Sequence, residues 1–139
     1  MEKIKSYRDL QVWQRAVELG VRVYQVTEGF PKSEQYGLVN QMRRAAVSVA
    51  SNIAEGYGRS EAEFARYLGM SRGSLAELET QMEIARRVKY LSDSLYAELN
   101  EEANILGRQL NVFYHHVSNG QPASRQRLAA NRQPPTASR

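Results

Sequence analysis

SEAEFARYLGMSRGSLAELETQMEIARRVK, residues 60–89, is the stretch whose spacing decides the fold. Phe64, Leu68, Ser71, Leu75, Leu78, Met82 and Ala85 recur at alternating steps of four and three, which places them on one stripe of a helix. Ser60 followed by Glu63 has the form of a capping box and predicts where that helix starts. Gly69 and Gly73 lie inside it, each costing about 1 kcal/mol relative to alanine. A close helix contact at that turn is the expected reason for tolerating them.

The same period extends outward in both directions. Pro31 and Pro122 bound ninety residues without proline, which leaves room for long helices. A first helix is predicted over 7–27, capped by Ser6 with Asp9 as its box partner and ended by Gly29-Phe30-Pro31. A second is predicted over 33–56, capped by Ser33 and stopped at Gly56, with Leu38, Met42, Ala45, Val49 and Ile53 facing one way. The turn Gly56-Tyr57-Gly58-Arg59 supplies glycine for a left-handed cap. A fourth is predicted over 92–117, started by Ser92, Asp93 or Ser94, with Leu99, Ala103, Leu106, Leu110, Phe113 and Val117 as its stripe. No strand-like alternation competes with these patterns. The expected fold is all-α: an up-down-up-down antiparallel four-helix bundle over residues 1–117. Residues 118–139, rich in Arg, Pro and Ser and without an aromatic residue, read as a disordered tail.

The first helix carries more apolar surface than a single buried face needs. Leu10, Trp13, Val17, Val21 and Tyr24 make one row, and Val12, Ala16, Leu19, Val23 and Val26 make another. An apolar face left over after core formation marks an interface, which predicts a homo-oligomer with Val12, Leu19 and Val23 among its contact residues. The competing reading is that Val12, Leu19, Val23 and Val26 widen the internal core.

The 139 residues contain no cysteine, which removes disulfides, thiolate metal sites and cysteine nucleophiles. The chain has neither an apolar leader near Met1 nor a membrane-length apolar run, so it is expected to be cytoplasmic, with no membrane partner. His115 and His116 are adjacent and neither has a glutamate three residues before it, so the di-iron pattern of helical bundles is missing. With no glycine-rich phosphate loop and no nucleophile triad, no catalytic residue, metal or cofactor is expected, and the chain reads as a non-enzyme.

The net charge of +4 points to an acidic partner, but its location narrows the inference. Four of the 19 basic residues, Arg125, Arg127, Arg132 and Arg139, lie in the tail, and the 15 that remain balance the 15 acids of residues 1–117. Within the bundle, residues 41–90 hold eight basic groups against six acids. Arg59, Arg66 and Arg72 are therefore the candidate phosphate contacts, with Arg125 and Arg127 as a flexible second set. The alternative is that the three bundle arginines pair with Glu55, Glu61, Glu63 and Glu77. On the second helix, Arg44, Ser48, Asn52 and Glu55 follow 4-4-3 spacing along one side. They read either as a buried polar network that fixes register or as a subunit-interface or ligand contact.

The segment Leu38-x-x-Gln41-x-Arg43-Arg44-Ala45-Ala46-x-Ser48-x-x-x-Asn52-Ile53-Ala54-Glu55-Gly56 resembles the signature of a bacterial four-helix-bundle family encoded in intervening sequences of 23S ribosomal RNA genes. Asp9-Leu10-x-Val12-Trp13-Gln14 and Arg72-Gly73-Ser74-Leu75-x-Glu77-Leu78-Glu79 match as well, so the resemblance spans residues 6–117 in order. It implies a homopentamer. Relatives among accessory proteins of diversity-generating retroelements imply binding to nucleic acid and to a nucleic-acid-processing protein. The expected function is a non-enzymatic homo-oligomeric adaptor that binds RNA or an RNA-associated protein. The alternative is a purely structural or protein-partner module with no nucleic-acid role.

Overall fold

The computed structural model describes residues 3–120, and every regular element among them is helical. Four α-helices, α1 (Gln11–Thr27), α2 (Leu38–Gly56), α3 (Glu61–Arg87) and α4 (Asp93–Ser118), follow one another through short turns. Their contacts run in opposite sense along each neighbouring pair. On α2 and α3, Ser71 Oγ donates to the Val49 carbonyl at 2.7 Å and Ser74 Oγ to Ser48 Oγ at 2.9 Å. On α3 and α4, Tyr96 OH donates to Glu83 at 2.9 Å while Arg72 lies over the Tyr114 ring. On α1 and α4, Arg15 reaches Gln109 and Arg22 reaches Glu98. The helices are therefore antiparallel, with α1 beside α2 and α4, and α3 beside both on the far side.

The stripe of α3 is buried along its whole length, and so is that of α4. Ser71, the polar member of the α3 stripe, is fully buried and satisfied by the Val49 carbonyl, so it costs no unpaired donor. Phe64 and Phe113 meet edge to face at 5.4 Å, and Tyr57 closes on Phe64 at 5.7 Å, packing one end of the bundle.

Two helix starts differ from expectation. Ser6 and Asp9 do form a reciprocal box, but it caps a short 3-10 turn, Tyr7–Asp9, and α1 begins after it at Gln11. Ser33 lies within a second 3-10 turn, Lys32–Glu34, and does not cap α2. The Glu34 carboxylate does so instead, accepting the Leu38 amide at 3.0 Å while its other oxygen takes the Tyr90 hydroxyl. Ser60 caps α3 by accepting the Glu63 amide, and Ser92 caps α4 by accepting the Leu95 amide. α3 stops at Arg87 and Lys89 takes a left-handed conformation, φ 71°. Gly58 takes the left-handed turn after α2, φ 91°.

The close contact expected at Gly69 and Gly73 is not there. A methyl group at Gly69 would meet only the Tyr114 ring at 3.5 Å, and one at Gly73 would meet nothing within 4 Å. The crowded glycine is Gly56, where a methyl would stand 2.5 Å from Tyr67 Cβ and 3.0 Å from Phe64. α4 runs to Ser118, one residue into the stretch read as a tail, and from 121 that stretch lies outside the described residues, with Arg125 and Arg127.

Candidate functional site

The two apolar rows of α1 separate only past its first turn, since Leu10 is buried and Trp13 packs against the core although both belong to the row that is otherwise open. Val12, Leu19 and Val23 are at most 2% exposed within the single chain and pack into its own core with Ala16. They cannot serve as subunit contacts, which corrects the expectation that placed them at an interface. The row that the fold leaves open is the other one. Val17, Val21 and Tyr24 are 36%, 51% and 45% exposed, and Val47 on neighbouring α2 is 47% exposed. Tyr24 and Val47 line a groove of about 490 Å³ with Asn40, Arg43, Arg44 and Ser48. Arg43 braces its wall: its guanidinium lies 4.5 Å over the Tyr24 ring and donates to Thr27 Oγ1 and the Tyr24 carbonyl. Met70 and Ile84 on α3, and Val88 just after it, are also each about half exposed.

The polar row of α2 divides. Asn52 Nδ2 donates to the Ser48 carbonyl and to Ser48 Oγ, and Ser74 of α3 completes the set. Ser48, Asn52 and Ser74 thus form a register-fixing network between two helices. Arg44 and Glu55 are exposed, and among the described residues their side chains stay outside that network. Ser74 carries no sequence signal as a partner, because its role depends on the α2–α3 register.

Of the three candidate phosphate contacts, Arg59 and Arg66 are near the end of the bundle where α3 begins, and Arg72 is close to the midpoint of α3. Arg59 and Arg66 share the Tyr67 ring, at 4.9 and 5.0 Å from its centroid, and Arg72 lies 4.5 Å over the separate Tyr114 ring. Only Arg66 holds an expected acid, Glu63 at 3.2 Å, and that contact raises its pKa. Arg59 donates through Nε to the Glu55 backbone carbonyl rather than to its carboxylate. The spacing of charges could not single out Tyr67 and Tyr114, since the stacking joins residues on different turns and, for Arg72, different helices. Arg8 lies over both Tyr7 and Trp13, at 5.6 and 5.5 Å from their centroids, and the two rings meet each other edge to face at 5.2 Å. α4 continues past both histidines, and His115 meets Tyr114 edge to face at 5.2 Å.

The opposite end is arranged around carboxylates. Glu83 accepts from Arg86 at 2.6 Å, from Arg87 at 2.7 Å and from Tyr96 at 2.9 Å, and these bonds, Arg86 first, hold its pKa down at about 2. Arg22 pairs with Glu98 and Glu102, and Arg43 reaches Glu28 at 3.9 Å. Among the described residues, no group of three His, Asp or Glu side chains could hold a metal ion. No described helix is long and apolar enough to cross a membrane.

No curated protein matches the chain in sequence. In structure it is similar to a protein of unknown function from the S23 ribosomal protein family of Bacteroides thetaiotaomicron. The two share 21% identity with a TM-score of 0.67, over 74% of this chain and 97% of that one, a likeness that shows the fold. The sequence profile of the family described as 23S rRNA-intervening sequence protein matches residues 8–112, from the turn before α1 to the last two turns of α4. The chain belongs to the 23S rRNA-intervening sequence protein family.

Proposed function

We propose that this chain is a non-enzymatic adaptor that works as a homo-oligomer, a closed ring of five, and binds RNA or an RNA-associated protein. One observation carries the assembly: the core is complete within a single chain, yet Val17, Val21, Tyr24 and Val47 stay open to solvent along adjoining helices. Contiguous exposed apolar surface of this kind marks an interface. A ring of more than two subunits joins two different faces of the same chain. The α1–α2 face supplies one of them, and the exposed apolar residues elsewhere, among them Ile84 and Val88 at the finish of α3 and Val112 of α4, are available for the other. Replacing Val21 with Asp, at an exposed position that does not disturb the core, is expected to dissociate the assembly in sedimentation velocity while leaving the helical circular dichroism unchanged.

The RNA arm rests on Arg59 and Arg66 near the start of α3 and on Arg72 farther along it, which a ring would repeat in every subunit. Binding of RNA is expected to weaken steeply as salt rises, in proportion to the phosphates contacted. The formal neutrality of residues 1–117 favours the second reading, a structural or protein-partner module. Absence of RNA binding at low salt by the full chain would decide for that reading.

A further inference from the structure

The arginines of the chain are committed differently. Toward the end where α1 finishes, Arg22, Arg43, Arg86 and Arg87 all hold carboxylates. Ring contact is common to both sets, since Arg43 lies over Tyr24 and Arg86 over Tyr96. Beyond them Arg66 lies over Tyr67 and pairs with Glu63, whereas Arg8, Arg59 and Arg72 lie over rings and, among the described residues, form no ion pair. All three are exposed. A guanidinium lying over a ring is ordered without being neutralised: one planar face meets the ring, and its in-plane donors remain available. Arg59 is fixed further by its Nε bond to the Glu55 carbonyl, which leaves both terminal nitrogens for a ligand. The free planar face suits a nucleobase, and the free donors suit a phosphate. A polyanion without bases would use only the second property, and a duplex hides its base faces in its own stack.

We infer that the bundle binds unpaired RNA, with bases stacking at two places: on the Arg59 guanidinium held by Tyr67 just before α3, and on the Arg72 guanidinium held by Tyr114 near the middle of α3. This assignment rests on the RNA-binding arm of the proposed function and names its site and its ligand class.

The test is fluorescence anisotropy of the full chain with a short labelled oligoadenylate, the same strand annealed to its oligouridylate complement, and inorganic polyphosphate as competitor. The single strand is expected to bind more tightly than the duplex and to resist displacement by polyphosphate. Tyr67→Leu and Tyr114→Leu should each weaken it by roughly tenfold. Tyr67→Phe and Tyr114→Phe, which keep the rings, should bind as the native chain does, and so should Arg87→Gln at the finish of α3. If a leucine variant melts early by circular dichroism, Arg59→Gln and Arg72→Gln carry the same test at exposed positions. Equal affinity for strand and duplex, or leucine and glutamine variants that bind normally, would overturn the stacking site while leaving RNA binding standing. No binding of either RNA at low salt would overturn both.

Discussion

At the scale of single residues, two glycines with the same helical setting make opposite predictions. Gly56 lies where α2 meets the first turns of α3, and a methyl group there collides with Tyr67 Cβ, an atom too close to the backbone to swing away. Gly56→Ala should cost about 1–3 kcal/mol of stability, the range for overpacking. Gly73 is exposed with open space around it, so Gly73→Ala should add roughly 0.5–1 kcal/mol through helix propensity alone. Urea unfolding of the two variants checks both signs. Glu83 makes a prediction about acid. Its folded pKa of about 2 lies below the ordinary 4.5, so its contribution is present above pH 4.5 and is lost as the pH falls toward 2. Thermal melts across that window should show the native chain losing more stability than Glu83→Gln, which carries no such proton linkage. The sequence pointed at Gly69 and Gly73 because they lie inside a helix, where glycine is costly. It could not point at Gly56, whose crowding comes from Tyr67 on the next helix.

At the scale of helices, how much could be read depended on whether an element's signal is local. The α3 stripe and its Ser60 cap, and the α4 stripe and its Ser92 cap, are internal to their segments, and the structure keeps them nearly residue for residue. The starts of α1 and α2 misled for one shared reason: each cap-like serine belongs to a 3-10 turn that precedes the helix. For α2 the substitute cap is Glu34, which also anchors Tyr90 from the turn after α3 and so is invisible to local reading. Ser60→Ala is therefore expected to lower stability by about 1 kcal/mol. Glu34→Ala should also destabilise, whereas Ser33→Ala should change little. Thermal unfolding followed at the helical circular dichroism band distinguishes the three.

At the scale of the whole molecule, periodicity showed that α1 has apolar residues on two rows but could not say which row the bundle would take. That choice follows from where α2 and α4 sit: the row of Val12, Ala16, Leu19 and Val23 points between them, and the row of Val17, Val21 and Tyr24 points away. The fold therefore reverses the expected interface residues and keeps the reason for expecting an interface. Multi-angle light scattering of the full chain at micromolar concentration is the most direct test of assembly. A closed ring predicts a mass of roughly five times the 15.8 kDa chain, and a particle with the mass of one chain would contradict it.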